Sequence, residues 1–84
     1  MENLIIENNQ HLEIIENNNE FIIIVIKCLQ CGRVIEIKMN SENLRNKDLP
    51  VNKIHIYYAK GDFCKHYKIT GVVKELKMQL SGIN

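Results

Sequence analysis

Apolar residues fall into two kinds of short run in the first half of the chain. His11-Leu-Glu-Ile-Ile-Glu16 mixes apolar and polar positions, whereas Phe21-Ile-Ile-Ile-Val-Ile26 is apolar and mostly β-branched throughout. The first pattern predicts a strand with one wet face, and the second predicts a central strand. Asn17-Asn18-Asn19 between them suits a hairpin turn, because asparagine tolerates positive φ. Leu4–Glu7 predicts an earlier strand, closed by the polar turn Asn8-Asn9-Gln10. Val34-Ile-Glu-Ile-Lys38 predicts the strand that returns from the Phe21 run, with Gly32 allowing the tight reversal.

The second half is less regular. Ser41–Lys47 has a candidate serine cap and good helix formers, so one or two helical turns are expected before Asp48-Leu-Pro50. Lys53–Tyr58 and Phe63–Thr70 flank Ala59-Lys-Gly-Asp62, which predicts a second hairpin. The tail over Val72–Leu80 fits two templates. Val72, Leu76 and Leu80 share a helix face, while Leu76, Met78 and Leu80 share a strand face, and the β character of the rest favours the strand. The expected fold is mostly β, built of hairpins with at most one short helix and a C-terminal segment that is strand or helix.

Length and charge narrow the classes. The 84 residues form one domain, 1–84, just above the size at which small folds usually need a metal, disulfides or a partner. Residues 1–26 carry Glu2, Glu7, Glu13, Glu16 and Glu20 and no lysine or arginine, so a net +1 hides about −5 followed by +6. Such asymmetry keeps nucleic acid among the partners to consider, but it also fits an acidic hairpin packed beside a basic one or paired across a dimer. The acidic N-terminal stretch has no basic region followed by an apolar core, and Phe21–Ile26 is too short to cross a bilayer. Three cysteines, an odd number, suit a reducing compartment better than a disulfide framework, so a cytoplasmic location without membrane contact is expected.

Those cysteines carry the chemistry. Cys28-x-x-Cys31-Gly32 has the spacing of a zinc knuckle, in which a turn points backbone N–H groups at two sulfurs and glycine relieves strain. Cys64-x-His66 supplies two more soft ligands. If Ala59–Asp62 is a hairpin turn, Tyr58 opposes Phe63, Tyr57 opposes Cys64 and His55 opposes His66. Cys64, His66 and His55 then share one face, and Ile54, Tyr58, Phe63, Tyr67 and Ile69 share the other. The candidate ligands are therefore Cys28, Cys31, Cys64 and His66, with His55 as the alternative fourth. A closed set of four leaves no water to activate, so a bound Zn²⁺ would be structural, its excess negative charge softened by Lys27, Arg33 and Lys65. The competing readings are three partly buried cysteines with surface histidines, or a redox pair at Cys28 and Cys31. The redox reading lacks a helix opening at the knuckle to lower a thiol pKa. His11, beside Glu13, is expected to face solvent.

Cys28-Leu-Gln-Cys-Gly-Arg-Val-Ile-Glu-Ile37 resembles one knuckle of a zinc ribbon, where a β-hairpin carries each ligand pair. It is also similar to the first zinc knuckle in the dimerisation domain of ferric-uptake-type repressors. The resemblance covers about ten residues and implies structural zinc in a zinc-ribbon-like β module. No winged helix is expected upstream of the knuckle and the sequence has no second Cys-x-x-Cys pair, so repressor function does not carry over.

No catalytic signature accompanies the cysteines. Gly61 and Gly71 are isolated, no glycine-rich loop follows a strand, and neither Ser41 nor Ser81 has a nucleophile elbow or a nearby base. An enzyme is not expected, nor a small-molecule substrate. The expected function is a small zinc-stabilised β-rich module for protein–protein interaction, self-association or regulation. The alternative is nucleic-acid binding through Lys53, Lys60, Lys65 and Lys68, with Tyr57 or Tyr58 available for stacking.

Overall fold

The computed structural model describes residues 2–6, 10–65 and 69–81. Its strands are β1 (Glu2–Ile6), β2 (Gln10–Asn17), β3 (Phe21–Cys28), β4 (Val34–Asn40) and β5 (Ile56–Gly61). All pair antiparallel in chain order, so β3 is the central strand of a five-stranded sheet. Two helices, α1 (Ser41–Arg45) and α2 (Ile69–Ser81), and a 3-10 turn at Val51–Lys53 complete a mostly β fold.

The β2–β3 turn forms where the asparagines predict it. The Asn18 side-chain oxygen accepts from the backbone N–H groups of Glu20 and Phe21, both at 2.9 Å, and thereby closes the turn locally. The short helix α1 also forms as expected, but its cap is Asn40 rather than Ser41. The Asn40 Oδ1 accepts from the Asn43 N–H at 2.8 Å, while Ser41 is buried and its hydroxyl accepts from Arg45.

Two expectations fail in the second half. Among the described residues the hairpin of Lys53–Tyr58 with Phe63–Thr70 does not form, and Ala59, Lys60 and Gly61 are strand rather than turn. β5 pairs with β4 instead, with Glu36 opposite Lys60 and Lys38 opposite Tyr58. Gly61 makes this possible. It has φ +126°, and a Cβ there would lie 2.5 Å from the Val34 carbonyl oxygen, so only glycine lets β5 run close against β4 to its end. The tail is helix, against the strand preferred for it. As a helix it buries Val72, Val73 and Leu76 together; a strand would put Met78 beside Leu76, yet Met78 is exposed. Lys77 obscured the period. It lies on the buried side of α2, where its ammonium donates to the Asn46 carbonyl just past the end of α1.

One face of the sheet builds the core. Leu12, Ile14, Ile22, Ile24, Ile26, Ile35, Ile37 and Met39 pack with Leu44 of α1, Ile54, and Val72, Val73 and Leu76 of α2. On β2 to β5 the other face carries half-buried or exposed side chains, among them Phe21, Ile23 and Val25 of β3. The apolar run Phe21–Ile26 is thus covered by helices on one side only. Ile15 sits at a bulge between Ile14 and Glu16, which returns Glu16 to the uncovered face opposite Ile23.

Candidate metal centre

The β3–β4 hairpin ends in the knuckle. β3 delivers Cys28 in the buried register of Ile22, Ile24 and Ile26. The Gly32 N–H donates to the Cys28 carbonyl at 2.8 Å, and the Cys28 N–H donates to the Arg33 carbonyl at 2.9 Å. Gly32 adopts φ 71°, the left-handed conformation that this reversal needs. Cys31 therefore folds back over Cys28 with the two sulfurs 3.3 Å apart.

Cys64 arrives from the far end of β5. The Asp62 N–H donates to the Val34 carbonyl at 3.0 Å, which continues the β5 contact with β4 past Gly61. The Arg33 guanidinium, through Nη1, donates to the Phe63 carbonyl at 3.1 Å. These two bonds hold the segment against the knuckle. The sulfurs of Cys28, Cys31 and Cys64 then lie within 4.8 Å of one another, with Cys28 buried, Cys64 half-buried and Cys31 exposed, and none in a disulfide. The three expected sulfur ligands thus converge, although the second hairpin invoked to bring Cys64 in is absent among the described residues. Arg33 and Gly61 are what position Cys64, and the sequence alone did not assign them that work.

The two histidines fare differently. His66 lies outside the described residues. His55 lies just before β5, where its carbonyl accepts from the Asn40 N–H and its N–H donates to the Asn43 side chain. Asn40 pairs with Phe21 at the start of β3, whereas the knuckle follows Cys28 at its end. Seven residues of strand, about 23 Å at 3.3 Å per residue, separate the two ends. The structure therefore does not bring His55 to the three sulfurs. The His55 ring packs edge-on to Tyr57 at 4.7 Å.

Electrostatics divides the thiols. Burial pushes the Cys28 thiol up. The backbone N–H groups of Cys31 and Gln30, with the thiols of Cys31 and Cys64, outweigh that and hold it at about 6. Donating to Cys28 raises Cys31 to about 11, with Cys64 and burial adding to the rise. The turn thus prepares one thiolate at neutral pH without a helix N-terminus, and a cation entering the site would displace the remaining thiol protons. Soft donors from two distant segments, one already ionised, suit Zn²⁺ or another thiophilic ion better than a hard cation.

The lysines proposed for nucleic acid lie on different elements where they are described. Lys53 is in the 3-10 turn, Lys65 follows Cys64, and Lys68 is outside the described residues. Lys60 reaches Glu36 at 3.7 Å and lies over the Tyr58 ring at 4.9 Å. The Tyr58 hydroxyl donates to the same Glu36 carboxylate at 2.6 Å, a bond that raises the phenol above its ordinary value. Lys38, not singled out from the sequence, sits 4.1 Å from the centre of the Phe21 ring and 5.6 Å from that of Tyr57. His11, expected in solvent, is half-buried on the uncovered face of β2. No helix among the described residues is long and apolar enough to cross a membrane. No protein-family model, curated protein or solved structure matches the chain.

Proposed function

We propose that this chain is a small zinc-stabilised binding module, related in design to a zinc ribbon, that acts through protein–protein contact rather than catalysis. The observation that carries the reading is the convergence of Cys28 and Cys31 from a hairpin tip with Cys64 from the end of another strand. Three thiolates and one further donor, for which His66 is the candidate two residues beyond Cys64, would close a tetrahedral structural site. The ion would tie the β3–β4 tip to the segment that leads into α2. With the metal used for the fold, binding falls to the sheet face that the helices leave uncovered.

Nucleic acid is the less favoured partner. Lys60 lies 3.7 Å from the Glu36 carboxylate, which offsets its charge locally, and the acidic β2 beside β3 disfavours a polyanion on this sheet. A filter-binding series with single-stranded RNA at rising salt separates the two partners, because phosphate contacts weaken steeply with salt. Native mass spectrometry of untagged protein prepared without chelator tests the metal. One zinc ion per chain is expected, lost in His66→Ala if that residue is the fourth ligand; a bare mass contradicts the reading.

A further inference from the structure

Three polar side chains are buried among the described residues: Gln10, Ser41 and Lys77. Two are accounted for beside α1, where the Ser41 hydroxyl accepts from Arg45 and the Lys77 ammonium donates to the Asn46 carbonyl. Gln10 lies at the other end of the sheet. It opens β2 directly across from Cys28, and it shares the buried register of Leu12 and Ile14 on the core face. A leucine or isoleucine would continue that face without desolvating an amide, so a carboxamide there calls for a polar neighbour. Its Oε1 is itself sealed from solvent.

The backbone brings that neighbour close. The Cys28 N–H donates to the Arg33 carbonyl and the Cys28 carbonyl accepts from the Gly32 N–H, so both backbone groups of Cys28 are turned towards β4. Gln10 and Cys28 therefore form a non-hydrogen-bonded pair, the closer of the two antiparallel kinds, with Cα atoms about 4.5 Å apart and side chains adjacent on one face. Cys31 approaches the Cys28 sulfur from the hairpin tip and Cys64 from the β5 side, which leaves the β2 side to Gln10. The Cys28 sulfur accepts from the thiols of both Cys31 and Cys64. Once one ion holds all three as thiolates, those two S–H donors are gone and the sulfurs share an excess negative charge. We propose that Gln10 supplies the replacement as a positioning residue: its carboxamide N–H donates to the metal-bound Cys28 sulfur and fixes that sulfur's orientation. This rests on the zinc reading above and leaves the identity of the fourth donor untouched.

Nuclear magnetic resonance of the full chain, labelled with heavy nitrogen and loaded with spin-active cadmium, tests the proposal without a mutation. A Gln10 side-chain proton should show scalar coupling to the metal through the N–H···S bond and should exchange slowly with solvent. The backbone N–H groups of Gln30 and Cys31, which also donate to Cys28, serve as the reference in the same spectrum. Coupling at those groups with none at Gln10 overturns the proposal. Gln10→Leu, apolar and without a donor, should weaken zinc binding about ten-fold or more. In cobalt-loaded protein it should also move the thiolate-to-metal charge-transfer band to lower energy. Wild-type affinity with an unmoved band overturns the proposal, as does an equal loss of melting temperature with and without metal, the mark of a purely structural amide. The cadmium measurement on wild type keeps the test decisive should Gln10→Leu fail to fold. A wild type that takes up no zinc, cobalt or cadmium overturns the zinc reading and this one together, whereas a metal-loaded wild type beside an indifferent Gln10→Leu ends this proposal alone.

Discussion

Replacing Cys64 by serine should cost the fold far more than the loss of one half-buried thiol. With the metal bound, Cys64 closes a loop back to Cys31 of roughly 34 residues, and the chain-entropy relation for a cross-link of that length gives about 4 kcal/mol. For a domain of this size, each kcal/mol moves the melting temperature by about 4–8 °C, so a fall of about 15–30 °C is expected. Thermal unfolding by circular dichroism, with and without a chelator, measures it. Chelation should lower wild type to near the Cys64→Ser value and lower the variant hardly at all, because both perturbations open the same loop. Two results refute the reasoning: a variant that melts with wild type, or a chelator effect of equal size in both proteins, which would place the metal elsewhere.

Four further outcomes follow from local structure. In metal-free protein, ultraviolet thiolate absorbance should show one step near pH 6, lost in Cys28→Ser; a first step near 9, the ordinary thiol value, contradicts the hydrogen-bonded turn. Because the folded value of Cys28 is depressed, its contribution to metal-free stability is complete above about 9 and lost as pH falls through about 6. The raised Cys31 acts in the opposite sense, its contribution present below 9 and lost as pH rises through about 11, and urea titrations at several pH values follow both. Gly61→Ala should destabilise by at least about 2 kcal/mol and weaken zinc retention, since the added carbon meets the β4 backbone and the residue keeps a positive φ; unchanged retention would separate the strand end from the metal site. Leu76→Ala should cost about 2–5 kcal/mol, while Met78→Ala should stay within about 0.5 kcal/mol. Equal losses in denaturant melts would favour the strand that puts both side chains on one face.

The first half of the fold was legible because its signals are local. β2, β3 and β4 follow from their apolar runs, the Asn18 turn from side-chain hydrogen bonding within three residues, and the knuckle from cysteine spacing around Gly32. The second half depends on contacts that a linear pattern does not encode. Gly61 has the look of a turn glycine, but it is needed for close approach to Val34, a residue far back in the chain. Lys77 has the look of a solvent residue, but it is buried against the carbonyl of Asn46 and so hid the helical period of α2. The convergence of Cys28, Cys31 and Cys64 was foreseen from ligand chemistry, through a hairpin that does not form among the described residues. His55 entered the ligand set only through that hairpin, and the structure does not bring it to the sulfurs. The uncovered sheet face could not be read from Phe21–Ile26, since a β-branched run says that a strand is central without saying how many of its faces are covered.

Three cysteines from two distant segments should hold one metal ion. Zinc K-edge X-ray absorption on the purified chain tests it most directly, because the fine structure counts the sulfur neighbours. The expected result is one zinc with three sulfurs at about 2.3 Å and one nitrogen or oxygen at about 2.0–2.2 Å, falling to two sulfurs or to no bound zinc in Cys64→Ser. Two sulfurs in wild type, unchanged by that substitution, would show that the knuckle binds alone and that Cys64 is no part of the site.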